Sequence, residues 1–160
     1  PPHLDVEFYG ARVKPVAIES KFTEPYGRKT KREIRGSYLN RPRLWAQLPR
    51  CERLVRRIRE EERGWTSFAH LDVPQLLKHI LGLTTTFGHT GFELLYLWYD
   101  VPSTEAKKHR EEITEFRNHI GDEVHFRAMT YQEVFANIKK CPNAEDKYIS
   151  YLAERYFSGK

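Results

Sequence analysis

The eight residues from Phe92 to Tyr99 are apolar or aromatic except Glu93. A strand with one wet face alternates apolar and polar residues. A run this uniform therefore predicts a central strand covered on both faces, as in a sheet with helices packed on it. Helical patterns flank it. Asp72 can cap a helix with Pro74 in its first turn and Val73, Leu76, Leu77, Ile80 and Leu81 on one face. Ser103 can cap another carrying Ala106, Ile113, Phe116 and Ile120, ended by Gly121. Val124 to Met129 alternates as a strand, and Thr130 to Glu133 forms a capping box for a short helix that stops before Pro142. Asn143 can cap a last helix through Tyr148, Ile149, Leu152 and Phe157. Upstream, Leu48, Cys51, Leu54, Val55 and Ile58 follow helical spacing behind Pro49. The expected fold class is α/β, a mixed sheet flanked by helices, in a single domain over 1–160.

Two further strands are predicted near the start. Leu4 to Phe8 alternates apolar and acidic residues, and Val16 to Phe22 is β-branched and aromatic with the same period of two. A turn centred on Arg12 pairs residues whose numbers sum to 24, so Val6 meets Ile18, Phe8 meets Val16, and Asp5 stands opposite Glu19. Asp5, Glu7, Glu19 and Lys21 then share one face, because side chains at i and i+2 of a strand project together, roughly 6.5 to 7 Å apart. The pattern acid, any residue, Lys also occurs at Glu105 to Lys107 and Glu145 to Lys147, but there it falls in helix starts. The plain alternative is a solvated face of a two-sided hairpin. Directly opposed carboxylates repel, however, and a divalent cation would neutralise them. Mg²⁺ suits one or two carboxylates, several waters and a phosphate oxygen. Lys21 could then hold or help deprotonate an attacking water, or stabilise charge in the transition state.

Charge is unevenly distributed. Residues 27–63 contain 13 Lys or Arg against 5 Asp or Glu, whereas the remainder has 14 against 17, so the whole formal charge of +5 resides in one segment. Arg28, Lys29, Lys31, Arg32, Arg35, Arg41 and Arg43 form its first half, a footprint for a polyanion. Tyr26, Tyr38 and Trp45 are interleaved with them and could stack on bases or serve as core anchors.

Other classes are disfavoured. No run approaches the roughly 18 to 20 apolar residues of a membrane span, so no membrane partner and a cytoplasmic location are expected. Cys51 and Cys141 have no nearby cysteine and are expected to be reduced. His3, His70, His89, His109, His119 and His125 show no ligand spacing. The chain begins at Pro1 without a Met, which suggests processing or a longer parent.

Asp5 followed after a hairpin by Glu19-Ser20-Lys21 resembles the core of the PD-(D/E)XK nuclease superfamily, with its restriction-endonuclease-like fold. The string Glu-Ser-Lys-Phe-Thr-Glu from Glu19 to Glu24 resembles restriction-type endonucleases. The resemblance covers roughly residues 4–100, with 27–63 as a basic insertion and 101–160 as an αβαα extension. It implies that Asp5 and Glu19 hold Mg²⁺, for which Mn²⁺ can substitute, and that Lys21 assists the water. The superfamily core places a helix and a strand before the Asp strand. Here they would precede Pro1 or be replaced by later elements. Gln75 and His79, at i and i+4 and away from the apolar face, are similar in position to the Gln-any-any-any-Tyr helix of one branch, with His79 where Tyr would stand.

The resulting expectation is a Mg²⁺-dependent nuclease acting on DNA, with RNA left open. Its alternative is an inactive nucleic-acid-binding module of the same fold, and a scaffold with an acidic partner ranks third. Cutting both strands needs two sites or two events, which leaves a homodimer open. The basic segment gives a first testable outcome, since each phosphate contact contributes roughly 0.9 to the slope of log K against log salt. Replacing Arg28, Lys29, Lys31 and Arg32 together by Gln should lower that slope by several units in anisotropy titrations and weaken all sequences about equally. An unchanged slope would mark the segment as a solvated loop.

Overall fold

The computed structural model describes residues 5–10, 13–27, 34–40, 42–60, 68–142 and 145–157. Its strands are β1 (Val6–Gly10), β2 (Val13–Lys21), β3 (Glu93–Trp98) and β4 (His125–Thr130). Its helices are α1 (Gly36–Leu39), α2 (Pro42–Trp45), α3 (Pro49–Glu60), α4 (Val73–Phe87), α5 (Thr104–Ile120), α6 (Tyr131–Ile138) and α7 (Asp146–Leu152), the last continuing as a π-helical turn over Ala153–Phe157. The sheet order is β1-β2-β3-β4, with β1 antiparallel to β2 and the other neighbours parallel.

Parallel neighbours require crossovers, and both crossovers send their helices to one face. On that inner face Ala17 of β2, Leu94, Tyr96 and Trp98 of β3, and Phe126 and Ala128 of β4 meet Leu54 and Val55 of α3, Leu77 and Ile80 of α4, and Ile113 and Phe116 of α5. The outer face is barer: Val6 and Phe8 of β1 are exposed there, Phe8 by 60%. The register Val6↔Ile18 and Phe8↔Val16 is the one expected from the turn. It shifts before Gly10↔Val13, so two residues separate the last pair.

Several local signals act as expected. The Asp72 carboxylate accepts the Gln75 N–H at 3.1 Å, and α4 closes on Gly88 in the left-handed region at φ 74°. Ser103 caps α5, and Thr130 with Glu133 forms the capping box of α6. Gly121 ends α5 at φ 59°, and a Cβ there would lie 2.3 Å from the Arg50 guanidinium. That guanidinium donates to the carbonyls of Asn118 and His119, while Glu123 accepts the N–H groups of Arg50 and Cys51. The start of α3 and the end of α5 thus terminate each other.

Some expectations need correction. The first strand begins at Val6, leaving Asp5 at its mouth. Helix α6 stops at Ile138, before Pro142 as expected, whereas α7 is preceded by Glu145 without a side-chain cap; Asn143 lies outside the described residues. Trp45 is buried and donates to the Tyr38 carbonyl at 3.0 Å, Tyr38 packs partly against the core, and Tyr26 donates to the Tyr99 carbonyl at 2.8 Å. Trp45 is thus a core anchor, while Tyr26 and Tyr38 are half-buried. Burial, helped by the Asp100 charge, pushes the Tyr26 hydroxyl up to about 12, so it remains a donor. Cys51 is buried and Cys141 exposed, both as free thiols. Among the described residues no helix is long and apolar enough to cross a membrane.

The segment leading into α4 depends on one carboxylate. Glu112 of α5, 8% exposed, accepts the N–H groups of Ala69, His70 and Leu71 at 2.7 to 2.8 Å. Charge-assisted bonds of this kind are stronger than neutral ones, and their loss leaves backbone donors without partners. Glu112→Ala should cost about 2 to 4 kcal/mol in urea denaturation. It should also speed amide exchange at residues 69–71, and unchanged exchange there would contradict the anchoring role.

Candidate functional site

Strand β2 carries an acid into the core. Its inner face presents Ala17, Glu19 and Lys21, and Glu19 is 1% exposed. A buried carboxylate costs several kcal/mol unless cations and hydrogen bonds replace its water. Lys21 Nζ lies 2.5 Å from Oε1, and His79 Nε2 of α4 lies 2.9 Å from Oε2. Each carboxylate oxygen therefore has its own basic partner. The plain alternative of a solvated charged face does not hold for Glu19: the wet face of the hairpin is the apolar one, because the crossover helices cover the other.

His79 likewise departs from a surface placement. It is 2% exposed, and neither ring nitrogen makes a well-aligned hydrogen bond among the described residues, the Nε2 contact with Glu19 being an ion pair by distance. Its Nε2 side faces the carboxylate, a geometry served by imidazolium or by the neutral form protonated at Nε2. Gln75, one turn earlier in α4, is half-buried, and its backbone is fixed by Asp72. The i, i+4 row read from the sequence thus runs along the side of α4 that reaches β2 at His79.

The paired register ends at Val6↔Ile18, and Asp5, just beyond it, turns its carboxylate to the backbone. Its Oδ2 accepts the Ser20 N–H at 2.7 Å, while its own N–H donates to the Ile18 carbonyl at 3.2 Å. The exposed Asp5 side chain thereby extends the β1–β2 ladder by one link past the end of β1. Lys21 is the last residue of β2, and its carbonyl accepts the Tyr99 N–H at 3.0 Å. The charged group thus sits at the carboxyl ends of parallel strands, where open α/β sheets bind their ligands.

Sequence reasoning missed Tyr96. It is the β3 partner of Glu19 in the parallel register and shares its face. Its hydroxyl meets His109 Nε2 at 3.0 Å, and burial, with the Glu19 charge adding to it, raises its pKa well above the ordinary value. Tyr96 accordingly stays neutral beside the carboxylate. It lay within the apolar run, where no local pattern separates a polar tip from core bulk.

Of the basic residues, Arg28, Lys29, Lys31, Arg32 and Arg41 lie outside the described residues. Arg35 precedes α1 and Arg43 lies in α2, both exposed. Part of the remaining charge serves the fold, with Arg50 on α5 carbonyls, Arg56 on Glu52 and Arg59 on the Ile34 carbonyl. For a metal ion, Asp5 and Glu19 provide the two hard carboxylates that a cation with several waters requires, without thiols. Among the described residues no group of three His, Cys, Asp or Glu is gathered for a metal. A cation on Glu19 would have to displace one of its two basic partners.

Burial by itself would raise the Glu19 pKa, but the close contacts and positive charge of His79 and Lys21 outweigh it and hold the group below its ordinary 4.5. Because the folded value is the lower one, the interaction stabilises the fold above the ordinary carboxyl range. That contribution disappears as pH falls through the folded value. Urea midpoints should therefore converge between wild type and Glu19→Gln on acidification below about 4.5. Parallel curves would show that Glu19 is not held ionised by its partners.

No curated protein and no solved structure matches this sequence. A family model matches residues 1–157. The acidic strand end, its basic partners and the helices that bury them all fall inside that span, and the chain belongs to the family described as Restriction Endonuclease associating with ARP, REase-ARP.

Proposed function

We propose that the protein is a metal-dependent nuclease of the PD-(D/E)XK type that hydrolyses phosphodiester bonds in DNA. The observation that carries this reading is the Glu19 carboxylate, buried between Lys21 and His79 at a strand end, with the exposed Asp5 carboxylate on the Ser20 N–H of the same strand. Membership of a restriction-endonuclease-associated family supports a nuclease, and the mixed sheet with three parallel strands is compatible with a restriction-endonuclease-like fold. Asp5 and Glu19 would hold Mg²⁺, which when bound supplies positive charge against the phosphate oxygens.

The chain's own groups have separable tasks. Lys21 is 15% exposed, so its ammonium is oriented by Glu19 and still reaches solvent. It donates toward the attacking water or toward charge developing on phosphate oxygen as the water oxygen bonds to phosphorus and the P–O ester bond to the leaving sugar oxygen breaks. His79 is a positioning residue: it fixes the second oxygen of Glu19 and so sets the direction in which the carboxylate faces. Gln75 stands one turn before it. Arg35 and Arg43, with the basic residues beside them in sequence, would hold the strand by phosphate contacts.

One observation favours the reading of a binding module without cleavage. Both Glu19 oxygens already have basic partners, and such a group can be a structural ion pair. Plasmid cleavage in Mg²⁺ or Mn²⁺ and gel shift in EDTA separate the two. Lys21→Ala should lower cleavage by a factor of about 10² to 10³ while binding stays within about twofold. Binding by wild type without any cleavage would establish the module, and a Lys21→Ala rate near wild type would remove Lys21 from the chemistry.

A further inference from the structure

Glu19 offers its two oxygens on unequal terms. Lys21 holds Oε1 at 2.5 Å and His79 holds Oε2 at 2.9 Å, yet the Lys21 side chain is 15% exposed and that of His79 only 1%. Lys21 is also the last residue of β2, and its flexible four-carbon stem can turn past the strand end. His79 sits in the middle of α4, where Leu76, Leu77 and Ile80 are almost fully buried. Its ring could leave Oε2 only by changing rotamer inside a close-packed layer, which has no room for the move. Of the two bases, Lys21 is the one able to yield its oxygen.

A released ammonium has little reason to stay on the inner face. Across the parallel register Lys21 pairs with Trp98 and Glu19 with Tyr96, and with Leu94 these complete the inward residues of β3, so that strand supplies no second acid. The acids near the strand end are turned to other donors. Asp5 Oδ2 accepts the Ser20 N–H, Glu24 accepts the Phe22 N–H at 2.7 Å, and Asp100 takes the Arg110 guanidinium. The stem therefore leads the ammonium outward, to water or to an anion beside Glu19. Oε1 cannot serve an ammonium and a divalent cation together at contact distance, since their like charges repel.

We propose that Lys21 is released by metal: it occupies Glu19 Oε1 in the free protein and gives that oxygen up when a cation binds, while His79 keeps Oε2. The lysine is thus turned toward substrate only once the cation is in place. Release of this kind adds an order of events to the metal-dependent nuclease reading and rests on that reading for the cation. Because ammonium and metal compete for one oxygen, the coupling is reciprocal, and the ion pair weakens metal binding as much as metal weakens the ion pair.

The test uses the full wild-type chain without DNA, titrated with Mn²⁺ and followed by electron paramagnetic resonance for bound metal. In parallel, amines are acetylated briefly with an N-hydroxysuccinimide ester and imidazoles carbethoxylated with diethyl pyrocarbonate, each site being read by mass spectrometry. Mn²⁺ should raise Lys21 labelling severalfold over EDTA, with His79 still protected and the exposed Lys107 and Lys147 unchanged as internal references. Lys21→Met, which keeps the stem and loses the charge, should bind Mn²⁺ about tenfold more tightly than wild type. The labelling arm uses unaltered protein and stands even if the variant fails to fold. Bound Mn²⁺ with unchanged Lys21 labelling, a gain of labelling at His79 instead, or a folded Lys21→Met with affinity no higher than wild type would overturn the release and leave the metal site standing. Absence of bound Mn²⁺ would overturn both. Release of Lys21 without DNA cleavage in Mg²⁺ would support the coupling and count against the nuclease.

Discussion

A carboxylate in the core constrains everything packed around it. Glu19 occupies an inner-face position where its neighbours Leu94 and Tyr96 are almost fully buried, and a lone charge there would cost several kcal/mol, a large share of one domain's stability. Lys21 comes from the same strand. His79 has to be delivered from α4, so the rotation and height of that helix are fixed by an electrostatic requirement as well as by its Leu76, Leu77 and Ile80 face. The chain leading into α4 is in turn held by Glu112 of α5 and, through His70, by the Pro25 carbonyl just after β2. The three elements surrounding the acid are therefore tied to one another through groups that do not touch it.

Much of this was legible because it rests on local rules. The caps at Asp72, Ser103 and Thr130, the covered strand at 93–98 and the hairpin register each follow from a few neighbouring residues. The choice of buried face was not legible. Val6 and Phe8 carry the apolar pattern and Glu19 the polar one, so a reading by hydropathy alone would put the acid in water. Only the crossover helices, which belong to remote sequence, decide which side is covered. The proximity of His79 to Glu19 required the same long-range information, although the i, i+4 spacing from Gln75 marked the helix row that reaches the strand.

The basic segment divides in a comparable way. A count of arginines treats all of them as free to meet a polyanion, yet Arg50 closes the end of α5, Arg59 holds the Ile34 carbonyl, and Arg56 pairs with Glu52 within its own helix. Guanidinium suits such duties, because its planar fork can satisfy carbonyls from two directions. The charge available to a ligand is thus smaller than the formal excess. The aromatic side chains redistribute in the opposite sense: Trp45 within the basic segment becomes a core anchor, and the tyrosines of α7 and the turn after it remain outside.

The two acids, Glu19 and Asp5, are held with unequal firmness. Glu19 and Lys21 belong to a strand paired on both sides, whereas Asp5 lies beyond the end of a five-residue edge strand and is tied by its links to Ile18 and Ser20. Sheet side chains return to the same face only every second residue, so a slip of β1 along β2 would move Asp5 by roughly 6.5 to 7 Å before it faced the same way again. Lengthening or shortening the connection at 11–12 would therefore leave the paired acid and lysine where they are and reassign their neighbour. In such an arrangement an insertion of a residue or two can change what stands beside a reactive group without disturbing the group itself.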